Sequence, residues 1–342
     1  MIATTGEQRL SSFGKVLVGV FVLLLLVTAA LVIISFPVGF YTIFYTSLSN
    51  QVNAASLVNG IFFFVGPYVT ALPIGGSLGN IFVALSVIYA GMLILAAKQG
   101  AGLLSSLRAS FSEGFGALFR NTFYVSLVAI GFLAFTILVI DSLETAGSVP
   151  VGSLSGDAMQ LLMSLTIAPL REELGFRMLT IGLVAALVSL GKSKAVALRA
   201  IWRPSAAYEG EVNSTLPRVA LAVAVVLSSV AFGLVHIESG SGWQIGKLPE
   251  AAIAGLVLGY LYVKYGFHVA VLTHWGIDYL DSVFAFFGQG AFGIPWTSDN
   301  GFVLQQVVAL HTVAFFGVAS FLVVCYLALR RAFADRPNPT AL

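Results

Sequence analysis

Apolar runs of membrane-crossing length recur from near Lys15 to Leu329, and they leave this chain very few ways to fold. A helix needs about twenty mostly apolar residues to cross the hydrocarbon of a bilayer. The 342 residues are 58% hydrophobic and only 9% charged, with a mean hydropathy of +0.96. A soluble chain could not hide that much apolar surface. The expected class is therefore all-α, a polytopic membrane helical bundle of about eight transmembrane helices.

The first run, Val16–Phe36, exceeds the hydrophobic segment of a secretory signal and reads as a retained span. Pro37–Asn53 reads as a polar, uncharged connection. Ala54–Gly76 is apolar but broken by Gly66, Pro67 and Pro73, so it is either a poor span or an interfacial or re-entrant piece. Further spans are expected at Leu78–Ala97, Asn121–Ile140, Pro169–Leu190, Leu216–His236, Pro249–Lys264, Gly266–Phe287 and Phe302–Leu329. Met159–Ala168 leads into the Pro169 helix as a half-helix with a kink. The loop Gly191–Pro217 reads as a solvated surface loop without chemistry.

Basic residues settle the doubtful segment. Lys98, Arg108 and Arg120 form one cluster, Lys192 to Arg218 a second, and Arg330, Arg331 and Arg336 a third. If Ala54–Gly76 does not cross, all three fall on the side of Arg9 and Lys15. Both termini are then cytoplasmic, and the chain is a multi-pass integral membrane protein. Three regions follow: 1–157, N-terminal helices without a signature; 158–290, a core with polar motifs; and 291–342, a last helix and tail. The net charge of +2 gives no reason to expect nucleic acid as a partner. The expected partner is the lipid bilayer. The single cysteine, Cys325, forbids an intrachain disulfide.

Charges inside a span are costly and mark function by default. Pro169-Leu-Arg-Glu-Glu-Leu-Gly-Phe-Arg177 concentrates four of them. Pro169 suits the first position of a helix, and carboxylates are favoured in a first turn. Glu173 and Arg177 are four apart and suited to an ion pair. Glu172 points about 100° away and has only Phe176 at that spacing. A carboxylate without a neutralising partner is a candidate general base. Two further sets are Phe232-x-x-x-His236 and His274-x-x-x-Asp278. Each pair shares one helix face. The bland reading is a salt-bridge cluster plus satisfied core histidines. Span direction, however, puts Glu172 near the start of one span and His236 near the end of the next, at the same membrane face. The His274 helix runs toward that face, so the sets can meet.

Glu172-Glu173-x-x-x-Arg177, Phe232-x-x-x-His236 and His274-x-x-x-Asp278, in that order, resemble the three motifs of the CPBP intramembrane proteases. That family includes the CAAX prenyl endopeptidases and bacteriocin self-immunity proteins, and the likeness covers roughly Met159 to Phe287. The resemblance implies an intramembrane endopeptidase acting on membrane-associated, prenylated or other, protein or peptide substrates. It implies Glu172 as the base that activates water. His236 would hold that water or polarise the scissile carbonyl, and His274 and Asp278 would complete the oxyanion side. Glu173, Arg177 and Phe232 would support them. The third motif takes Asn or Asp, and Asp278 donates a hydrogen bond only when protonated. No cofactor is expected. One alternative is a zinc site formed by Glu172, His236 and His274. Another is a non-enzymatic transporter or immunity-type protein.

Overall fold

The computed structural model describes residues 10–50, 61–65, 68–72, 76–152, 156–210, 215–238, 242–296 and 308–334. The chain forms a helical bundle. Helix α1 spans Ser12–Tyr45, α2 Leu78–Lys98, α3 Leu103–Glu113 and α4 Thr122–Ala146. Helix α5 starts at Ala158–Glu173, widens to a π-helical stretch at Leu174–Gly182, and closes at Leu183–Leu187. Then follow α6 (Lys194–Trp202), α7 (Thr215–Glu238), α8 (Lys247–Tyr265) and α9 (Phe267–Phe292). The last helix, α10, combines a π-helical stretch at Leu310–Gly317 with Val318–Ala334.

Helices α1, α2, α4, α7 and most of α10 are long and apolar enough to cross a membrane. The α5 helix, α8 and α9 coincide with the remaining expected spans and carry most of the polar motif residues. Large apolar side chains face outward, among them Val16 and Leu23 on α1, Val87 on α2 and Leu227 on α7. In water such a surface would drive association; in lipid it is matched to its solvent. The protein is an integral membrane protein.

Helix α9 is the axis. Residues 266–276 are all buried, and α1, α2, α4, α5 and α8 pack around the helix. Its aromatic side chains explain the fit. Trp275 lies between Phe36 of α1 (5.1 Å between ring centres) and Tyr89 of α2 (5.3 Å), and stacks on Tyr279 (5.1 Å). Such pairs contribute about 0.5–1.5 kcal/mol each beyond area burial. At Gly39 of α1 there is no room for a Cβ against the Tyr279 hydroxyl, which donates to Ser35 O at 3.3 Å. That glycine lets the two helices touch.

The structure departs from the sequence reading in four places. Helix α1 does not stop at Pro37 but continues through it to Tyr45, so half of the expected Pro37–Asn53 connection is helical. Within Ala54–Gly76, residues Ile61–Val65 and Tyr68–Leu72 pair as an antiparallel hairpin, β1 and β2. Five extended residues reach only about 17 Å, too short to cross. The rest of that segment, up to Gly75, lies outside the described residues. Helix α5 begins at Ala158, so the expected half-helix Met159–Ala168 is present, but Pro169 lies inside one helix instead of at the first position of another. Finally, Gly191–Pro217 is no bare solvated loop, since Ala200 and Ala207 are buried and Ile201 O accepts the Tyr262 hydroxyl.

Candidate active site

The helix that carries the two glutamates is started by Asp157, whose carboxylate accepts from the amides of Met159 (2.9 Å) and Gln160 (3.3 Å). Pro169 therefore sits inside the helix rather than at its first position. Its missing N–H and its ring disturb the turn before Glu172, and there the Tyr89 hydroxyl donates to Thr166 O at 2.6 Å. Directly after Glu173 the helix widens into the π-helical stretch, in which the Thr180 hydroxyl reaches back five residues to Gly175 O at 2.9 Å. π-Helical stretches inside α-helices are frequent at functional sites. Glu172 and Glu173 thus stand mid-helix, and a helix N-terminus has no part in holding them.

Glu173 is completely buried. One oxygen lies 2.9 Å from Nδ1 of His274 on α9. The other is 3.2 Å from Nε of Arg177, an ion pair set off the hydrogen-bond line. Arg177 is buried as deeply, with its guanidinium carbon 4.4 Å from the centre of the Phe232 ring and Nη2 3.4 Å from Gly255 O of α8. A buried pair of this kind is held by its neighbours on three helices, and removing either partner strands the other.

Glu172 is the more accessible of the two, with 11% of its side chain exposed against none for Glu173. The sequence reading left it unpartnered. The structure gives it Arg171, whose Nη2 is 3.3 Å from Oε1. The other oxygen lies 3.8 Å from Nε2 of His274. That distance is too long for a direct hydrogen bond.

His274 is consequently flanked on both ring nitrogens. Nδ1 meets Glu173, and Nε2 lies 3.4 Å from Asp278 Oδ2 on the same helix face. Carboxylates accept and do not donate unless protonated. A proton on Nε2 would let His274 donate on the edge of the ring that faces Asp278 and Glu172.

Phe232 organises the second histidine. Its ring meets Phe176 edge-on at 5.2 Å, His236 at 4.6 Å and His274 at 5.8 Å. Both imidazoles border one aromatic ring. His236 Nδ1 is 2.8 Å from Phe232 O one turn earlier. A ring N–H donating to that carbonyl leaves Nε2 as the acceptor nitrogen. The Ser228 hydroxyl donates to Phe176 O at 2.5 Å, tying α7 to the widened part of α5. Ser228 and Tyr89 escaped the sequence reading, and no motif marks them; the Arg171–Glu172 contact is the one that the salt-bridge reading of the two glutamates implies.

The remaining histidines do other work. His268 is buried and stacks on Trp202 at 5.9 Å, and His311 Nε2 is 3.1 Å from the Thr28 hydroxyl of α1. The zinc alternative needs three ligand atoms about 2.0–2.2 Å from one point. Among the described residues no three His, Cys, Asp or Glu side chains converge in that way, and both nitrogens of His274 face carboxylates.

No curated protein and no solved structure matches the chain. A family model does match, over residues 154–280, a little over a third of the chain. That stretch contains all of Glu172, Glu173, Arg177, Phe232, His236, His274 and Asp278. Over residues 154–280, this membrane protein is similar to the family described as type II CAAX prenyl endopeptidase, Rce1-like, a family of CAAX-type proteases.

Proposed function

We propose that the chain is an intramembrane glutamic endopeptidase in which Glu172 activates water against a peptide bond of a membrane-associated substrate. The observation that carries this is the inequality of two adjacent carboxylates. Glu173 is committed to Arg177 and His274, whereas Glu172 keeps an accessible edge and has one oxygen 3.8 Å from His274 Nε2, outside direct hydrogen-bond distance. In the step envisaged, Glu172 takes a proton from water as the oxygen bonds to the scissile carbonyl carbon. The carbonyl becomes an oxyanion, and the proton held by Glu172 passes to the leaving amine as the C–N bond breaks. The acceptor Nε2 of His236 orients the water. The proton held by His274 and Asp278 supplies the oxyanion's hydrogen bond. This answers how an Asp can stand in the third motif: paired with His274, it need not donate itself. Preorganised donors of this kind supply several kcal/mol in a water-poor site.

The mechanism needs no metal, and the side-chain arrangement supports that reading. The family description points to prenylated chains as the substrate class. The basic clusters favour cytoplasmic termini. The test is Glu172→Gln, which should abolish cleavage of a prenylated or other membrane-associated peptide while leaving thermal stability in detergent unchanged.

A further inference from the structure

On the far side of α8 from the glutamates lies a cavity of about 840 Å³ that opens to the bundle surface. Helix α4 forms its floor, with α8 and the C-terminal part of α10 as walls. The α8 residues Gly255 and Gly259 face α7, at Ser229 and Val225. Leu256, Val257, Tyr260 and Lys264 turn the other way and line the cavity. The groove is therefore separate from the candidate active site and independent of the proposed activity.

Its lining is graded along the membrane normal. Phe132, Leu256 and Val324 lie at the deep end, well inside their helices. Lys264 and Arg331 lie at the shallow end, where α8 and α10 finish and α4 begins. Apart from these two cations and the hydroxyls of Tyr260 and Tyr265, every lining side chain is hydrocarbon or glycine, and none is acidic. The Lys264 ammonium is held in place, 2.9 Å from the Tyr260 hydroxyl and 4.9 Å from the centre of the Tyr265 ring. The charged end also faces the side on which Lys98, Arg108, Arg120, Arg330 and Arg331 collect.

We infer that this groove is a site for an anionic phospholipid, with an acyl chain along Phe132, Val257 and Val324 and its phosphate between Lys264 and Arg331. Charge complementarity selects the occupant. A zwitterionic lipid would fill the hydrocarbon part equally well but would leave two cations facing no net negative charge. Basic pockets between transmembrane helices are suited to anionic headgroups.

The experiment is binding to the purified, delipidated full chain. Phosphatidylglycerol, phosphatidylcholine and inorganic phosphate are each titrated, with native mass spectrometry counting bound lipid and thermal melting reporting the shift. Phosphatidylglycerol should bind saturably at one lipid per chain and raise the melting temperature, while phosphatidylcholine binds at least tenfold more weakly and phosphate alone gives no shift. The double variant K264Q/R331Q should lose that preference, binding phosphatidylglycerol roughly tenfold more weakly or worse. Ala328→Phe, at an exposed lining position, should block the chain-binding part with both cations retained. Equal binding of the two lipids, full phosphatidylglycerol affinity in either variant, or a shift reproduced by phosphate alone would each overturn the proposal. If the double variant does not fold, the wild-type lipid comparison and Ala328→Phe still decide it.

Discussion

Oε1 of Glu173 and Nδ1 of His274 lie 2.9 Å apart, joining the glutamate-bearing helix α5 to the buried axis α9. This contact divides the labour of the two adjacent glutamates. One is consumed in holding His274 and Arg177, and its neighbour is left beside the open edge of the site. Glu173→Gln should therefore destabilise the fold. Stranding a buried partner typically costs about 3–5 kcal/mol. Thermal melting in detergent should show a large drop for Glu173→Gln and almost none for Glu172→Gln.

Phe232 is the shared wall of both histidines and of Arg177. Phe232→Ala should cost about 3–5 kcal/mol through the cavity it leaves. Phe232→Leu should recover most of that stability but not the activity, because both imidazoles lose the ring that fixes their separation. Parallel melting and turnover measurements would separate the two effects.

Helices α7 and α8 meet at Gly233, where an added Cβ would lie 2.8 Å from Leu248 O. Backbone cannot yield as a flexible side chain does. Gly233→Ala should force the helices apart at a cost of about 1–3 kcal/mol. His236 lies about one turn further along α7, so turnover should fall as well. Wild-type melting and kinetics in this variant would show that the pair tolerates a wider spacing.

The Tyr89 hydroxyl sits where Pro169 interrupts the α5 hydrogen-bond ladder. Tyr89→Phe keeps the stack on Trp275 and removes only the donor to Thr166 O. The expected loss is about 1 kcal/mol, read as a small drop in melting temperature with KM unchanged.

Metal removal tests the donor geometry around His274. Dialysis against a strong, non-denaturing chelator should leave both melting temperature and turnover as they were, and elemental analysis should find no stoichiometric zinc. Activity lost on chelation and restored by zinc alone would reassign Glu172 from base to ligand.

The sequence was most legible where chemistry is local. The pairing of Glu173 with Arg177 and of His274 with Asp278 follows from helical spacing, and both pairs are present. The apolar runs located the long helices because bilayer thickness leaves little choice of length. Long-range contacts were not legible. Nothing in the order of residues says that His274 would meet Glu173 rather than Glu172 more closely, since that depends on how α9 packs against α5. Pro169 misled because its ordinary place is a helix start, whereas Asp157 caps an earlier one and packing against α9 carries the helix through. Gly66-Pro67 within an apolar stretch is a turn signal between two short β-prone runs; the charge pattern was enough to show that the segment does not cross, but not that it pairs as a hairpin. The Gly191–Pro217 loop appeared solvated because its polar residues are prominent, yet its small apolar ones, Ala200 and Ala207, are those that pack.

The central claim is that Glu172, and not its neighbour, activates the hydrolytic water. It is tested most directly by single-turnover cleavage of a prenylated peptide with purified wild-type, Glu172→Gln and Glu173→Gln proteins, each normalised to its folded fraction by thermal melting. The account predicts that Glu172→Gln melts like wild type and cleaves nothing measurable, while the folded fraction of Glu173→Gln retains a reduced rate. Wild-type cleavage by folded Glu172→Gln would contradict it.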